Sequence, residues 1–138
     1  MTTKLLDTNV CVAALRRRAD VVERMVAEFA EGDLRVSTIT VFELAYGAAR
    51  SGRPAEEFAK VSRFFQNGPC VELFGAPEAE AAGQIRADLA ARGAMIGAYD
   101  LLIAGHALAR GWIVVTANGR EFSRVDGLAI EDWSEASR

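Results

Sequence analysis

The chain has 138 residues, 51% hydrophobic and 25% charged, the size and balance of one globular domain spanning 1–138, which excludes intrinsic disorder and a disulfide-stapled mini-scaffold. Sixteen basic and 19 acidic residues leave a net charge of −3, so the whole-molecule field does not by itself draw in a polyanion. No apolar run approaches the ~20 residues of a membrane span and no signal-peptide pattern opens the chain, so a cytoplasmic protein with no membrane partner is expected, its Cys11 and Cys70 reduced and packed as small core residues.

Lys4-Leu5-Leu6 is a short apolar run that ends in Asp7-Thr8-Asn9, and it reads as a buried strand leaving at its carboxyl end. Val21 to Phe29 carries apolar residues at helical spacing, closed by Gly32. Leu34 to Ser37 reads as a second strand, and Thr40 to Ala49 and Ala55 to Phe65 as two helices in succession, forming a clamp or an oligomer contact. Val71 to Phe74 is a third strand candidate, Glu78 to Ala91 a helix stopped by Gly93, Asp100 to Ala109 a helix apolar nearly all round, and Trp112 to Thr116 a β-branched strand. Strands alternating with helices predict an α/β layer fold with a mainly parallel sheet, in which ligands bind beyond the carboxyl ends of the strands.

The single histidine removes two-histidine zinc motifs and any acid/base pair of two imidazoles, so chemistry here must run on carboxylates. Asp7, Glu43, Asp100 and the segment Thr116 to Glu121, including Asn118, stand out as polar positions beside apolar sequence or strand ends. Asp7 and Thr116 are expected at carboxyl ends of strands, with Glu43 and Asp100 in first turns of helices on the same edge, so all can meet in one cleft. Gathered carboxylates repel unless a cation sits among them or protons stay on, and an all-oxygen set favours Mg²⁺ or Mn²⁺ over zinc.

Each acid also has a structural role open to it. Asp7 can cap the following helix. Thr40 and Glu43 have capping-box spacing, which gives Glu43 a complete role without a metal, and Asp100 can be a favourable charge at a helix start. His106 lies 240° around its helix from Asp100 and is read as structural. Fourteen of the 16 basic residues are arginines. Arg16-Arg17-Arg18 reads as a solvated helix face that can meet a phosphate backbone, while Arg120 and Arg124 are stronger phosphate candidates, and Tyr46 and Tyr99 are assigned to packing before base stacking.

The chain resembles the PIN-domain ribonucleases, in particular the VapC toxins of bacterial toxin-antitoxin pairs. The resemblance runs nearly end to end: Leu5-Leu6-Asp7-Thr8-Asn9, Ser37 to Gly47 around Glu43, Ile96 to Ala104 around Asp100, Val115 to Phe122 around Asn118, and Gly127-Leu128 with Glu131-Asp132-Trp133. The last segments look most like the subgroup that cuts initiator tRNA. The resemblance implies a PIN-like three-layer α/β fold with a mainly parallel sheet of about five strands flanked by helices. It implies a toxin that is a Mg²⁺-dependent endoribonuclease, with Mn²⁺ able to substitute, hydrolysing RNA (a tRNA, the initiator among the candidates) through a metal-activated water. Asp7 and Asp100 would ligate the metal, with Glu43 beside them or acting through a water, and Thr116 and Glu121 would support the rim. Asn118 stands where many relatives carry a fourth aspartate, which puts a second metal in doubt, and Arg16, Arg120 and Arg124 are the candidate RNA contacts. A homodimer and a VapB-type antitoxin are the implied partners.

Two other readings compete: a catalytically impaired RNA-binding PIN domain, through Asn118, and an aspartyl phosphoacceptor domain. The second wants a late lysine, and both lysines precede residue 61.

Overall fold

The computed structural model describes residues 2–133. In chain order the elements are β1 (Thr3–Leu6), α1 (Thr8–Leu15), α2 (Ala19–Glu31), β2 (Asp33–Ser37), α3 (Thr38–Ala49) and α4 (Pro54–Asn67). They continue with β3 (Cys70–Glu72), α5 (Ala76–Arg92), α6 (Ala98–Arg110), β4 (Ile113–Thr116), α7 (Gly119–Phe122) and β5 (Ile130–Asp132). The five strands form one sheet in the order β3-β2-β1-β4-β5, and every pairing is parallel. Three elements are not apparent in the sequence: α1, which merges with the turn after Asp7, and α7 and β5. They are eight, four and three residues long, too short to display a hydrophobic period of their own.

Alternation along the strands divides the core in two. Leu5 and Val114, paired in register, face a layer built from α5, α6 and Phe122. Leu6 and Val115, the next pair, face the other way with Leu34 and Val36, onto α1, α2, α3 and part of α4. The result is three layers, helices on both faces of a parallel sheet. Gly105 lets α6 lie close on α5, because a Cβ there would stand 2.6 Å from Ala82 Cβ. That contact fixes the axis of α6, and with it the position of Asp100 at the helix start.

Because β1 is central, the chain builds outward to β2 and β3 and then returns to the far side of β1 for β4. The direction of building reverses between β1 and β4, and the crevice above their carboxyl ends is the expected ligand position in such a sheet. No helix among the described residues is long and apolar enough to cross a membrane.

Two structural expectations are corrected. Cys11 is buried, but Cys70 is exposed; it opens β3, an edge strand with no neighbour to cover it on one side. Arg16, Arg17 and Arg18 do not form a helix face. Arg16 is the C-cap of α1 and Arg17 sits at φ 56°, so the run makes the exposed turn between α1 and α2.

Candidate active site

Asp7 follows β1 directly and its backbone N–H continues the ladder to Val115 O at 2.9 Å. With extended φ/ψ it is the N-cap of α1, and its Oδ1 accepts from Val10 N–H at 2.8 Å. Its Oδ2 accepts from the Thr116 hydroxyl at 2.5 Å. The cap role and a site role therefore coexist, because one oxygen serves the helix and the other points along the strand ends. Asp7 is only 1% exposed. Burial raises its pKa from 3.8 to about 6; the two hydrogen bonds pull it down, and the charges of Glu43 and Asp132 push it further up.

Asp100 lies in the first turn of α6 and is half-buried. Its pKa also rises to about 6, first through burial and then through the charges of Glu121, Asp7 and Glu43. Glu121 supports this rim: its Oε1 accepts from Gly97 N–H at 2.5 Å, and its Oε2 accepts from the Asn118 side-chain amide at 2.6 Å. The start of α6 is thus tied to the start of α7. Asn118 in turn donates its backbone N–H to Thr116 Oγ1 at 2.8 Å. Thr116 therefore links the Asp7 carboxylate to the Asn118 loop.

Glu43 does not take part in a capping box. The N-cap of α3 is Ser37, whose hydroxyl oxygen accepts from Ile39 N–H, and the helix begins at Thr38. Glu43 therefore sits in the second turn of α3, not the first. Thr40 is buried and its hydroxyl lies 3.0 Å from that of Thr8. Thr8 donates its own hydroxyl to Glu43 Oε1 at 2.6 Å, so a residue of α1 aims the Glu43 carboxylate.

A cavity of about 200 Å³ opens between these groups, lined by Thr8, Asn9, Glu43, Gly97, Tyr99 and Asp100 among others. The carboxylates are not drawn tightly together: among the described residues no three acidic, histidine or cysteine side chains close on a single point as a metal cage. That arrangement suits Mg²⁺, which is held by one or two carboxylates while keeping several waters and bonding substrate phosphate. Asp7 and Asp100, each raised in pKa partly by neighbouring carboxylates, are hard oxygen donors set among other negative charges, and a divalent cation fits them.

His106 is fully buried on the α5 side, edge-on to Phe74 and stacked with Trp112, so the helical-wheel expectation that it faces away from Asp100 agrees with the packing. Arg124 donates to Met95 O at 2.8 Å, bracing the loop before α6, and Arg120 is exposed on α7. Arg16 lines a larger cavity that also contains Glu43. Tyr46 and Tyr99 are not core packing: they are 61% and 45% exposed, and Tyr99 tilts against Phe42 at 5.5 Å on the rim. Asp132 and Thr8 also reach the site: both lie in segments that carry the resemblance, but the sequence does not assign their roles. Asp132 ends β5, accepts from Gly119 N–H at 3.1 Å and adds negative charge near Asp7. Its position one strand beyond Thr116 follows from the Thr116–Asp132 register, which no local pattern announces.

The PIN domain profile matches residues 4–128 of the chain. The tRNA(fMet)-specific endonuclease VapC of Shigella flexneri is 42% identical over 131 residues, 94% of this chain and 97% of that protein. The protein of the same name from Salmonella typhimurium (strain LT2) is 39% identical over 94% of this chain and 96% of its own length. Among solved structures, VapBC2 of Rickettsia felis, bound to a DNA fragment from its promoter, superposes with TM-score 0.91 at 30% identity over 96% of this chain and 100% of that one. DNA-bound VapBC of Salmonella typhimurium gives 0.88 at 40% identity, covering 96% and 99%. The chain belongs to the PIN-domain family and, within it, to the VapC ribonucleases.

Proposed function

We propose that this protein is the toxin of a VapBC-type pair, a cytoplasmic Mg²⁺-dependent endoribonuclease, with Mn²⁺ able to replace Mg²⁺, that cuts a tRNA, the initiator tRNA being the first candidate. The observation that carries this reading is the mutual electrostatic coupling of Asp7 at the end of β1, Glu43 on α3 and Asp100 at the start of α6, with both aspartates raised in pKa to about 6. Asp7 and Asp100, with Glu43 beside them, would hold a divalent cation, which would supply a Lewis acid to activate water and offset charge on the phosphate.

The chain's own residues prepare that site. Val10 N–H and the Thr116 hydroxyl hold Asp7 in one orientation, so its carboxylate needs no reorganisation on binding. The Thr8 hydroxyl holds Glu43 on the facing wall. Glu121 keeps Asn118 and the start of α6 in place, and so sets the distance of Asp100 from Asp7. Asn118, being neutral, positions without adding an anionic ligand, which favours one cation over two. With the single histidine, His106, fully buried against Phe74 and Trp112, hydrolysis leaving a 3′-hydroxyl and a 5′-phosphate fits better than a route that needs a general acid/base pair.

The initiator-tRNA preference is supported by the two relatives named as tRNA(fMet)-specific endonucleases, and a VapB-type antitoxin partner by the solved VapBC complexes. A homodimer, with Arg120 and Arg124 beside the cleft, completes the proposal. The test is incubation of initiator and elongator tRNAs with wild type, Asp7→Asn and Asp100→Asn, in Mg²⁺ and in EDTA. Cutting of initiator tRNA by wild type in Mg²⁺ alone supports it, and equal cutting by all three proteins, or cutting that persists in EDTA, overturns it.

A further inference from the structure

The acid cleft does not stand alone. A cavity of about 620 Å³ leads away from Thr8 and Glu43 along α1, over an apolar floor that includes Val12, Leu15 and Leu44, to Arg16 and Arg50. Leu15 also borders a second cavity, about 660 Å³, whose polar lining is Arg17, Lys60, Arg63 and Asn67. From Thr8 to Leu15 this groove follows about 10 Å of helix at 1.5 Å per residue.

Three features of the groove stand apart from the rest of the surface. First, Arg16, Arg17, Arg50 and Arg63, none of them in an ion pair among the described residues, collect on this groove in a chain of net charge −3, beside Lys60, which pairs with the lining Glu57. Elsewhere among the described residues Arg18, Arg35, Arg53, Arg92 and Arg110 are matched to carboxylates, and the arginines without an ion pair, Arg24, Arg86, Arg120 and Arg124, line neither cavity. Second, Arg17 occupies the left-handed position that ends α1, at φ 56°. Its N–H bonds Ala14 O and the Arg18 N–H bonds Ala13 O, both at 3.0 Å, the helix-ending pattern in which glycine is usual. An arginine there keeps a guanidinium at this spot at the cost of backbone strain. Third, exposed aromatic rings line the way from the acids: the Phe42–Tyr99 pair beside Asp100, then Tyr46, on which Arg50 stacks at 5.4 Å. Cations alternating with open aromatic faces form the pattern that binds unpaired nucleic acid, phosphates on the charges and bases on the rings.

Resting on the nuclease reading above, we propose that this groove is the track for the RNA strand flanking the cut. The scissile phosphate lies at the acids, an unpaired base stacks on the Phe42–Tyr99 pair, and the backbone continues along α1 to phosphate contacts on Arg17 and Arg63. Substrate grip then falls to a cluster remote from the acids, which is how a chain with excess negative charge holds a polyanion.

The test uses the whole protein and a labelled anticodon stem-loop of initiator tRNA, with the double variant Arg17→Gly/Arg63→Gln. Glycine relieves the left-handed strain, so the variant is expected to fold and to melt no lower than wild type. In EDTA, where no cutting interferes, its affinity for the stem-loop is expected to fall about tenfold. Its slope of log K against log salt should shrink by about 0.7 to 0.9 for each phosphate that an arginine no longer neutralises. In Mg²⁺, KM for the stem-loop should rise about tenfold with kcat unchanged. Affinity and salt slope equal to wild type overturn the proposal. So does a variant that binds RNA normally but loses its grip on the antitoxin, since the groove is then a protein seat. If wild type cuts nothing while the variant still weakens RNA binding, the nuclease reading fails and the RNA track stands.

Discussion

The Thr116 hydroxyl donates to Asp7 Oδ2 at 2.5 Å, across 109 residues of sequence. The contact exists because β4 lies parallel beside β1 with Leu6 opposite Val115, which brings the next residue of each strand together. Thr116 Oγ1 also accepts from Asn118 N–H. Thr116→Val is therefore expected to loosen Asp7 and strand the Asn118 amide. The loss should be 10- to 100-fold in metal affinity or activity, the usual effect of removing a group that orients a ligand, with about 1 to 3 kcal/mol of stability lost for the unpaired donor. Isothermal titration with Mn²⁺ and urea unfolding read the two effects separately.

The raised pKa of Asp7 makes the site costly to the fold. A rise from 3.8 to about 6 corresponds to about 3 kcal/mol at 1.36 kcal/mol per pH unit. Because the folded value lies above the unfolded one, the neutral form's advantage is present below about pH 3.8 and is lost as pH rises through 6. Asp7→Asn is thus expected to be more stable than wild type at pH 8, by roughly 1 to 3 kcal/mol, and nearly equal to it at pH 4. Unfolding midpoints across that range check the sign, and a gap that grows toward acid pH would contradict it.

A divalent cation should reverse that cost. Mg²⁺ at 100 times its dissociation constant is expected to stabilise the wild-type fold by about 2.7 kcal/mol at pH 8, and by much less at pH 5, where Asp7 and Asp100 hold protons. Asp7→Asn and Asp100→Asn should show little of this gain. Thermal melts with and without Mg²⁺ decide it without any assay of cutting.

Glu121 raises the pKa of Asp100 by its charge, second only to burial. Glu121→Gln keeps an acceptor for Gly97 N–H but removes the charge. The acidic limb of the pH profile of kcat/KM should move to lower pH, because Asp100 then ionises more readily. A limb that stays in place, or moves upward, would show that Glu121 acts on Asp100 only by position.

His106 predicts a different pH response. It is fully buried, with both ring nitrogens lacking a partner among the described residues, and burial lowers its pKa below 6.5. A lowered folded pKa gives stability that is complete above 6.5 and lost as pH falls through the folded value. His106→Phe, stacked in the same slot between Phe74 and Trp112, removes the titrating group, so its stability should fall less than that of the wild type between pH 7.5 and pH 5. Denaturation at pH 5 and pH 7.5 reads the difference, with RNA cutting unchanged.

Local sequence carried a good deal of this. Leu5-Leu6-Asp7 announces a buried strand ending in an acid, and the apolar helix after Asp100 announces a core helix, because burial imposes its period on each segment separately. Those periods give the α/β alternation, and the alternation gives the sheet edge where the acids must lie. Glu43 was legible as an acid near that edge but not in its role: a capping-box spacing in Thr40 to Glu43 is equally compatible with a helix that starts two residues earlier at Thr38 under a Ser37 cap. The threonine that holds Glu43 comes from α1, 35 residues away.

The sequence by itself determined which residues are acids, which segments are buried and that the strands run parallel. Only the tertiary structure decided their partners. Asp7 with Thr116, Glu43 with Thr8, Glu121 with Gly97 and Asp132 with Gly119 are contacts made through strand order and helix docking, and strand order is a property of the whole chain. The same holds for electrostatics: Asp7 is an ordinary aspartate in the sequence, and becomes a carboxylate with a pKa of about 6 because the fold buries it among other negative charges.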